Sequence, residues 1–264
     1  MLVGARTATL ERRLVAIPTT DGRPRPRVMM ALARIETRKL VLHPTFLAGL
    51  SLFLLVMRVL IGNWGSNSTA ISVGGVAVGL LAGTLLAANA CALRARRDRM
   101  GELFGSLPAQ PETRTGAILL AVLAGPVFLG VLLAVIAYPV MRAGADLRPY
   151  ISVALVVQFP LTVAAFGALG VALARWVPHP AAAPVWLVAQ VMTGITWVVP
   201  WIAPKQSGIR MRWHFAYLLS EIAFCASLAL ARDRRRPALV AAAGITLALT
   251  VTSALFQVPP GGLR

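Results

Sequence analysis

Two ionisable side chains, Arg58 and Glu221, stand well inside otherwise apolar stretches of this 264-residue chain. A charge at membrane depth is costly, so such residues usually pair or take part in transport. Arg58 lies six residues before Trp64 and Glu221 eight residues after Trp213. A helical rise of about 1.5 Å per residue then puts them about 9 Å and about 12 Å below the same membrane edge. Their depths and opposite charges predict an intramembrane charge pair or a shared polar cavity, although Arg58 could reach outward to the interface and Glu221 could be a neutral carboxyl.

Few other residues in the sequence could support catalysis or hold a metal. The three histidines, His43, His179 and His214, fall at the ends of apolar runs and on both membrane faces, so they do not form one metal site. The sequence also contains no GxxxxGK[ST] phosphate-binding loop, which a P-loop ATPase requires. We therefore expect no catalytic residues, no metal and no cofactor in this chain, with any ATP bound by a partner.

A short apolar stripe interrupts the polar stretch ARRDRMGELFGSLPAQPETRT. Four of its residues have the i, i+3, i+4, i+7 spacing of one helix face: Met100, Leu103, Phe104 and Leu107. Glu102 is among the flanking charges, and Pro108 ends the pattern. A helix of one or two turns is not stable alone, so the stripe should dock onto the protein's own helix ends, the lipid surface or a groove of a cytosolic partner.

The elements that position these residues are predicted membrane spans. Hydrophobic residues make up 58% of the chain and charged residues 13%, which excludes a soluble domain of ordinary composition. A bilayer core needs about 20 apolar helical residues. Seven stretches meet this length, near Thr45–Trp64, Ala70–Leu93, Gly116–Val140, Tyr150–Ala174, Ala181–Ala203, Trp213–Ala231 and Ala238–Val258. We predict an all-α polytopic transmembrane helix bundle of about seven spans, with six as the alternative.

The basic residues indicate how this bundle is oriented. The chain has 26 Lys and Arg against 9 Asp and Glu, a formal net charge of +17, and nineteen of the 26 precede the first span or lie in alternate loops after it. Because basic residues are retained in cytoplasmic loops, the N-terminus is predicted in the cytoplasm and the C-terminus outside the plasma membrane of a bacterium. The charge is thereby explained by topology, and no nucleic-acid partner is expected.

Four segments follow from these patterns. Residues 1–27 are basic and Pro/Arg-rich and are predicted to be disordered. Residues 28–44 have the spacing of an amphipathic helix with Arg34, Glu36 and Arg38 on its polar face. We expect this helix to lie on the lipids of the inner leaflet, the alternative being a charged flank that only sets topology. The transmembrane domain occupies residues 45–258, and a short tail follows at 259–264.

Small and polar residues within the spans predict close helix packing. Gly74, Gly75, Gly79 and Gly83 give small-xxx-small spacing in the second span, which permits close backbone approach. Hydrogen bonds between helices, or a substrate path, are expected of the interior polar residues Gln158, Thr162, Gln190, Thr193, Thr196 and Ser220. Pro126 and Pro160 lie in mid-span and predict a kink or a hinge.

A resemblance emerges from the order of these segments. The stretch LARIETRKLVLHP, two spans and then the loop RRDRMGELFGSLP before a third span resemble the permease subunits of ATP-binding-cassette (ABC) transporters of the type-2 exporter class. The resemblance implies a helix on the inner leaflet and a coupling helix at Met100–Leu107 that inserts into a separate ATPase subunit. It also implies a smaller ATPase contact at Arg175–Pro180 and a dimer of permeases, either homodimer or heterodimer.

The chain departs from that family in its apparent seventh span and in the absence of an obvious re-entrant element at Ile202–Arg212. Its expected function is therefore that of a permease subunit of an ATP-driven exporter whose substrate is not identified. Two other interpretations stay open. One is a non-transport membrane protein of the interaction, immunity or assembly kind, and the other is a proton-coupled carrier that uses Glu221.

Overall fold

The computed structural model describes residues 26–62, 69–97, 111–143, 153–192, 210–233 and 236–257, and this part of the chain is all-helical. Its helices are α1 (Pro26–Val41), α2 (Pro44–Gly62), α3 (Thr69–Arg97), α4 (Pro111–Val122), α5 (Phe128–Ala143), α6 (Val153–Trp176), α7 (Ala182–Met192), α8 (Met211–Asp233) and α9 (Pro237–Gln257). A π-helical turn, Leu123–Val127, joins α4 to α5. Proline begins α1, α2, α4 and α9, where its fixed φ suits the first helical position and its missing N–H is not needed.

Four candidate membrane spans lie in the described part of the chain: Glu112–Ile136, Val157–Trp176, Met211–Asp233 and Pro237–Gln257. Helices α1 and α2 meet the same criteria only together and are bent by 57° at their break, which brings the number to five if they form one span. The prediction of an all-α chain with several apolar helices long enough to span a membrane is thus confirmed, but the count of seven spans is not. Of the other predicted spans, one falls on α3, which has 29 residues, and one on α7, which has 11 residues and is followed by residues 193–209, outside the described chain.

Helix α6 lies at the centre of the described bundle and packs against α3, α4, α5, α7 and α8. Two of its glycines permit this proximity. A Cβ atom on Gly167 would overlap the Val122 side chain of α4, and one on Gly170 would lie 2.5 Å from the Leu85 carbonyl oxygen of α3. At the same crossing, Asn89 Nδ2 donates to the Gly170 carbonyl oxygen at 3.2 Å. Bare backbone on α6 therefore allows its neighbours to pack closely around it.

Helices α2 and α3 cross antiparallel with their backbones in contact. Thr45 faces Gly83 and Leu52 faces Gly79, while a Cβ atom on Gly49 would overlap the Gly79 carbonyl oxygen and lie 2.9 Å from Gly83 Cα. The small-xxx-small packing predicted from Gly79 and Gly83 is confirmed. Such contacts matter in lipid because no hydrophobic driving force brings two apolar helices together there.

We expect Gly49→Ala to separate α2 from α3, because the added methyl meets backbone atoms that cannot rotate away. The cost should be about 1–3 kcal/mol, as for other overpacked sites. Thermal unfolding of the purified protein in detergent measures it. Gly244→Ala is the matched control, since a Cβ atom there meets nothing within 4 Å. Equal unfolding temperatures for the two variants would contradict the crossing.

The mid-span Pro126 lies in the π-helical turn rather than at a break. Proline has no N–H, so the regular i→i−4 ladder is interrupted there. The turn restores backbone pairing, with the Phe128 N–H donating to the carbonyl oxygens of Leu123 and Gly125. Because the candidate span runs from Glu112 through Ile136 across this turn, Pro126 alters the helix locally without dividing it.

The segment predicted to lie on the inner leaflet is helical as α1, and it packs along α4 and the π-helical turn. Met29 lies beside Gly116, and Thr37 and Val41 lie beside Gly125, so α1 and α4 run in the same direction. Ala33 and Leu40 of α1 are buried. This helix therefore rests on protein along one side, and its predicted position on the lipid surface stays a prediction.

Candidate functional site

A cluster of charged and polar side chains lies where four helix ends meet. It joins the first turn of α4, the last turns of α6 and α8, and the residue before α9. We call this set the charge cluster: Glu112, Thr115, Arg175, Asp233 and Arg236. These helix ends come together because α4 packs on α6 and α8, α6 packs on α8, and α9 packs on α8, with α4 and α9 starting on the side of the bundle where α6 and α8 end.

Asp233 is the centre of the charge cluster. Its carboxylate accepts a hydrogen bond from the Thr115 hydroxyl of α4. The other carboxylate oxygen faces Arg175 Nη1 of α6 at 3.6 Å. The Asp233 and Arg175 side chains are only 9% and 13% exposed, so removing either would leave the other charge in a largely desolvated position, which is strongly destabilising. One carboxylate thus joins α4, α6 and α8.

A second ion pair extends the charge cluster to α9. Arg236 Nη2 lies 3.7 Å from Glu112 Oε1 in the first turn of α4. Arg236 is 46% exposed and Glu112 is 13% exposed. Water screens such a pair, so its contribution should be small. The Asp233 contacts therefore contribute most of the attachment at this end.

Trp176 strengthens the junction between α6 and α8. Its indole Nε1 donates to the Leu228 carbonyl oxygen at 2.8 Å, and the Arg232 guanidinium lies 5.4 Å from the indole ring centroid. A guanidinium at this distance is attracted to the ring face. The last turns of α6 and α8 are consequently connected by a hydrogen bond, a cation–π contact and the Asp233 ion pair.

The charge cluster borders both segments that the resemblance identifies as ATPase contacts. The first contact, with Met100, Glu102, Leu103, Phe104 and Leu107, lies in 98–110, outside the described residues. Helix α4 begins immediately after that segment, at Pro111. The second contact, Arg175–Pro180, contains the cluster residue Arg175, and its Trp176 and Val177 side chains are 46% and 50% exposed.

The structure does not pair Arg58 with Glu221. Arg58 is exposed on α2, which packs on α3, whereas Glu221 is on α8, which packs on α6 and α9. The Glu221 carboxyl is instead hydrogen-bonded to Tyr217, one turn earlier on the same helix. The pairing prediction fails because equal depth in the membrane does not fix the position of a helix around the bundle.

Hydrogen bonds between side chains join α8 to α9 within the membrane region. Thr250 Oγ1 donates to Ser220 Oγ at 3.1 Å, and His214 Nδ1 lies 3.0 Å from the Gln257 amide oxygen. His214 and Gln257 are fully buried. The interhelical role expected of Ser220 is therefore confirmed, and Thr162 donates to the Gln158 carbonyl oxygen of its own helix.

Sequence reasoning missed Glu112, Thr115 and Asp233 as members of a site. It treated Arg236 as a topology signal, and Arg175 both as a topology signal and as the start of a predicted ATPase contact. A usable signal was present, because acidic residues are scarce in this chain and Asp233 stands within the basic run ARDRRR. The polar-face residues of α1 lie elsewhere, with Arg34 and Arg38 exposed and Glu36 bound to Lys39 at 2.8 Å.

Comparisons with protein-family models, with curated proteins and with solved structures gave no match to this chain. No group of three or more His, Cys, Asp or Glu residues that could hold a metal ion occurs among the described residues.

We expect Asp233→Asn to destabilise the protein by about 1–3 kcal/mol, because Arg175 loses its counter-charge in a largely buried position. Asparagine keeps the size of the side chain and its ability to accept from Thr115. Arg236→Gln, at the more exposed pair, should cost less than about 1 kcal/mol. Chemical or thermal unfolding in detergent compares the two. A larger effect for Arg236→Gln would contradict the assignment of Asp233 as the centre.

Proposed function

We propose that the chain is the permease subunit of an ATP-driven (ABC-type) exporter in a bacterial plasma membrane. A separate ATPase subunit binds the segment Met100–Leu107 from the cytoplasm, and a second permease, identical or homologous, completes the transport pathway. A substrate that is apolar or amphipathic suits a bundle with few polar sites.

The observation that supports this proposal is the position of the charge cluster. A force applied to Met100–Leu107 would reach the described bundle along the chain at Arg97, the end of α3, and at Pro111 and Glu112, the start of α4. Thr115 lies one turn further on and is bound to Asp233 of α8, which is bound to Arg175 of α6. Rigid helices that share such contacts move as a unit rather than deforming independently. A push on α4 would therefore displace α6 and α8 with it.

The second predicted contact fits the same arrangement. Exposed Trp176 and Val177 follow Arg175 directly, and Trp176 is attached to α8 through Leu228. An exposed tryptophan beside exposed cations is typical of a protein-binding surface. With two contacts bordering one cluster, the ATPase would bind on both sides of the junction of α4, α6 and α8.

A proton-coupled carrier is the second candidate function, and Glu221 is the residue that favours it. Glu221 is the only acidic residue in the middle of a described candidate span, and its Oε2 atom is buried with no hydrogen-bond partner. A carrier of this kind would lose transport on Glu221→Gln and would need no ATPase. An exporter would lose function with its ATPase contact.

The test is affinity purification of the tagged chain from its native host in mild detergent. We expect an ATPase subunit in stoichiometric amount, and we expect Phe104→Asp to abolish its recovery because a charge replaces the apolar centre of the stripe. Ser106→Asp is the control, since it adds the same charge to the same segment off the stripe.

Recovery of the wild-type chain without any ATPase would contradict the exporter proposal. So would ATPase recovery that Phe104→Asp and Ser106→Asp reduce equally, because the stripe would then have no special role.

A further inference from the structure

Helix α2 begins at a histidine cap, and a similar turn leads into α7. His43 Nδ1 accepts the Thr45 N–H at 3.3 Å and lies 2.7 Å from the Thr45 hydroxyl oxygen. His179 Nδ1 likewise accepts the Ala181 N–H at 3.1 Å, and a proline follows each of the two histidines. The first N–H groups of a helix have no partner within it, and a cap satisfies one of them. The usual caps are oxygens, whereas a ring nitrogen can also be protonated near neutral pH.

The cap on α2 forms only while Nδ1 of His43 carries no proton. A backbone N–H can only donate, so Nδ1 must accept, and the neutral ring then has its hydrogen on Nε2. The Thr45 hydroxyl donates to the same nitrogen. Protonation of Nδ1 would direct a hydrogen at the Thr45 N–H and so exclude this hydrogen bond. It would also place a positive charge at a helix N-terminus, where the helix dipole disfavours it.

The surroundings of His43 oppose its protonation further. Burial and the Arg94 guanidinium of α3 lower the pKa of His43. On α1 the one acidic residue, Glu36, is bound to Lys39 at 2.8 Å, and α2 carries only Arg58, four turns further on. The stretch of α4 and the π-helical turn beside the end of α1 carry no titratable side chain. These elements therefore offer no free carboxylate that would stabilise an imidazolium here.

His43 also lies at the break where the chain bends. Helix α1 ends at Val41 and α2 begins at Pro44, and the two are bent by 57°. The His43 N–H donates to the Leu40 carbonyl oxygen, and the His43 carbonyl oxygen accepts the Leu47 N–H. The backbone of this residue thus joins the last turn of α1 to the first turn of α2. The angle between the two helices is therefore set at the residue whose ring forms the cap.

We propose that the His43 cap is an acid-sensitive hinge, in which protonation of the ring releases the first turn of α2 and lets the angle between α1 and α2 vary. The capped state binds one proton fewer than the open state. The open state therefore gains population as the pH falls below about 6.5, the ordinary pKa of histidine. This hinge is a property of the chain alone and does not rest on the exporter function proposed above.

The test places spin labels on exposed residues at either side of the hinge, through Ala31→Cys on α1 and Ser51→Cys on α2. The native cysteines are buried and should stay unlabelled. Pulsed EPR of the purified full chain in detergent measures the distance between the labels at about pH 7.5 and at about pH 5, on either side of the histidine pKa.

We expect one narrow distance distribution at the higher pH and an additional, broader population at the lower pH. The ratio of the broad to the narrow population should rise about fivefold or more, which corresponds to the loss of one helix cap. Equal distributions at the two pH values would overturn the proposal without any further variant.

Variants then assign the response to His43. His43→Asn supplies an acceptor for the Thr45 N–H that cannot be protonated, so the distribution should stay narrow at both pH values. His43→Ala supplies no acceptor and should show the broad population at both. His179→Asn is the matched control, because it removes the titratable ring from the other His-Pro turn and should respond to acid as the wild type does. An acid response that persists in His43→Asn, or that is lost in His179→Asn, would also overturn the proposal.

Discussion

The ion pair and hydrogen bond on Asp233 are the contacts on which the organisation of the described bundle most depends. Within a membrane, apolar helices gain little by leaving lipid for each other. Directed contacts must therefore decide which helix ends meet. Asp233, on α8, accepts a hydrogen bond from Thr115 of α4 and forms an ion pair with Arg175 of α6. Acidic residues number 9 in this chain, and this one is placed where three helices end.

Bare backbone complements these polar contacts away from the helix ends. On α6, Gly167 lets the Val122 side chain pack closely and Gly170 lets the α3 backbone approach. On α2, Gly49 lets the α3 backbone approach in the same way. Small residues at a crossing lengthen the row of van der Waals contacts between helices. The Asp233 contacts fix one end of the bundle, and the glycine crossings set the spacing along its length.

Much of the helical content could be predicted from the sequence, because long apolar runs in a poorly charged chain admit few other structures. The glycine crossing of α2 with α3 was also predictable from the spacing of Gly79 and Gly83. The docking of α1 on α4 was not, since an amphipathic pattern indicates an apolar face but not whether lipid or protein covers it. Arg58 and Glu221 show the same limit, because depth along a helix leaves its angular position in the bundle undetermined.

The charge cluster was hidden by an inference of a different kind. Counting basic residues by loop explains Arg175 and Arg236 as topology signals, and that explanation leaves no reason to look for partners. Asp233 and Glu112 supply those partners from helices distant in sequence. Only the packing of α4, α6, α8 and α9 reveals that these residues form one site.

Amide hydrogen exchange, measured on Asp233→Asn and on the wild type, tests most directly whether Asp233 makes the start of α4 and the ends of α6 and α8 open as one cooperative unit. We expect faster exchange in the first turn of α4 and in the last turns of α6 and α8, all three together. Exchange around Gly49 and Gly79, where α2 crosses α3, should be unchanged, because cooperative units open as a whole. Faster exchange confined to the end of α8, with α4 and α6 as in wild type, would contradict it.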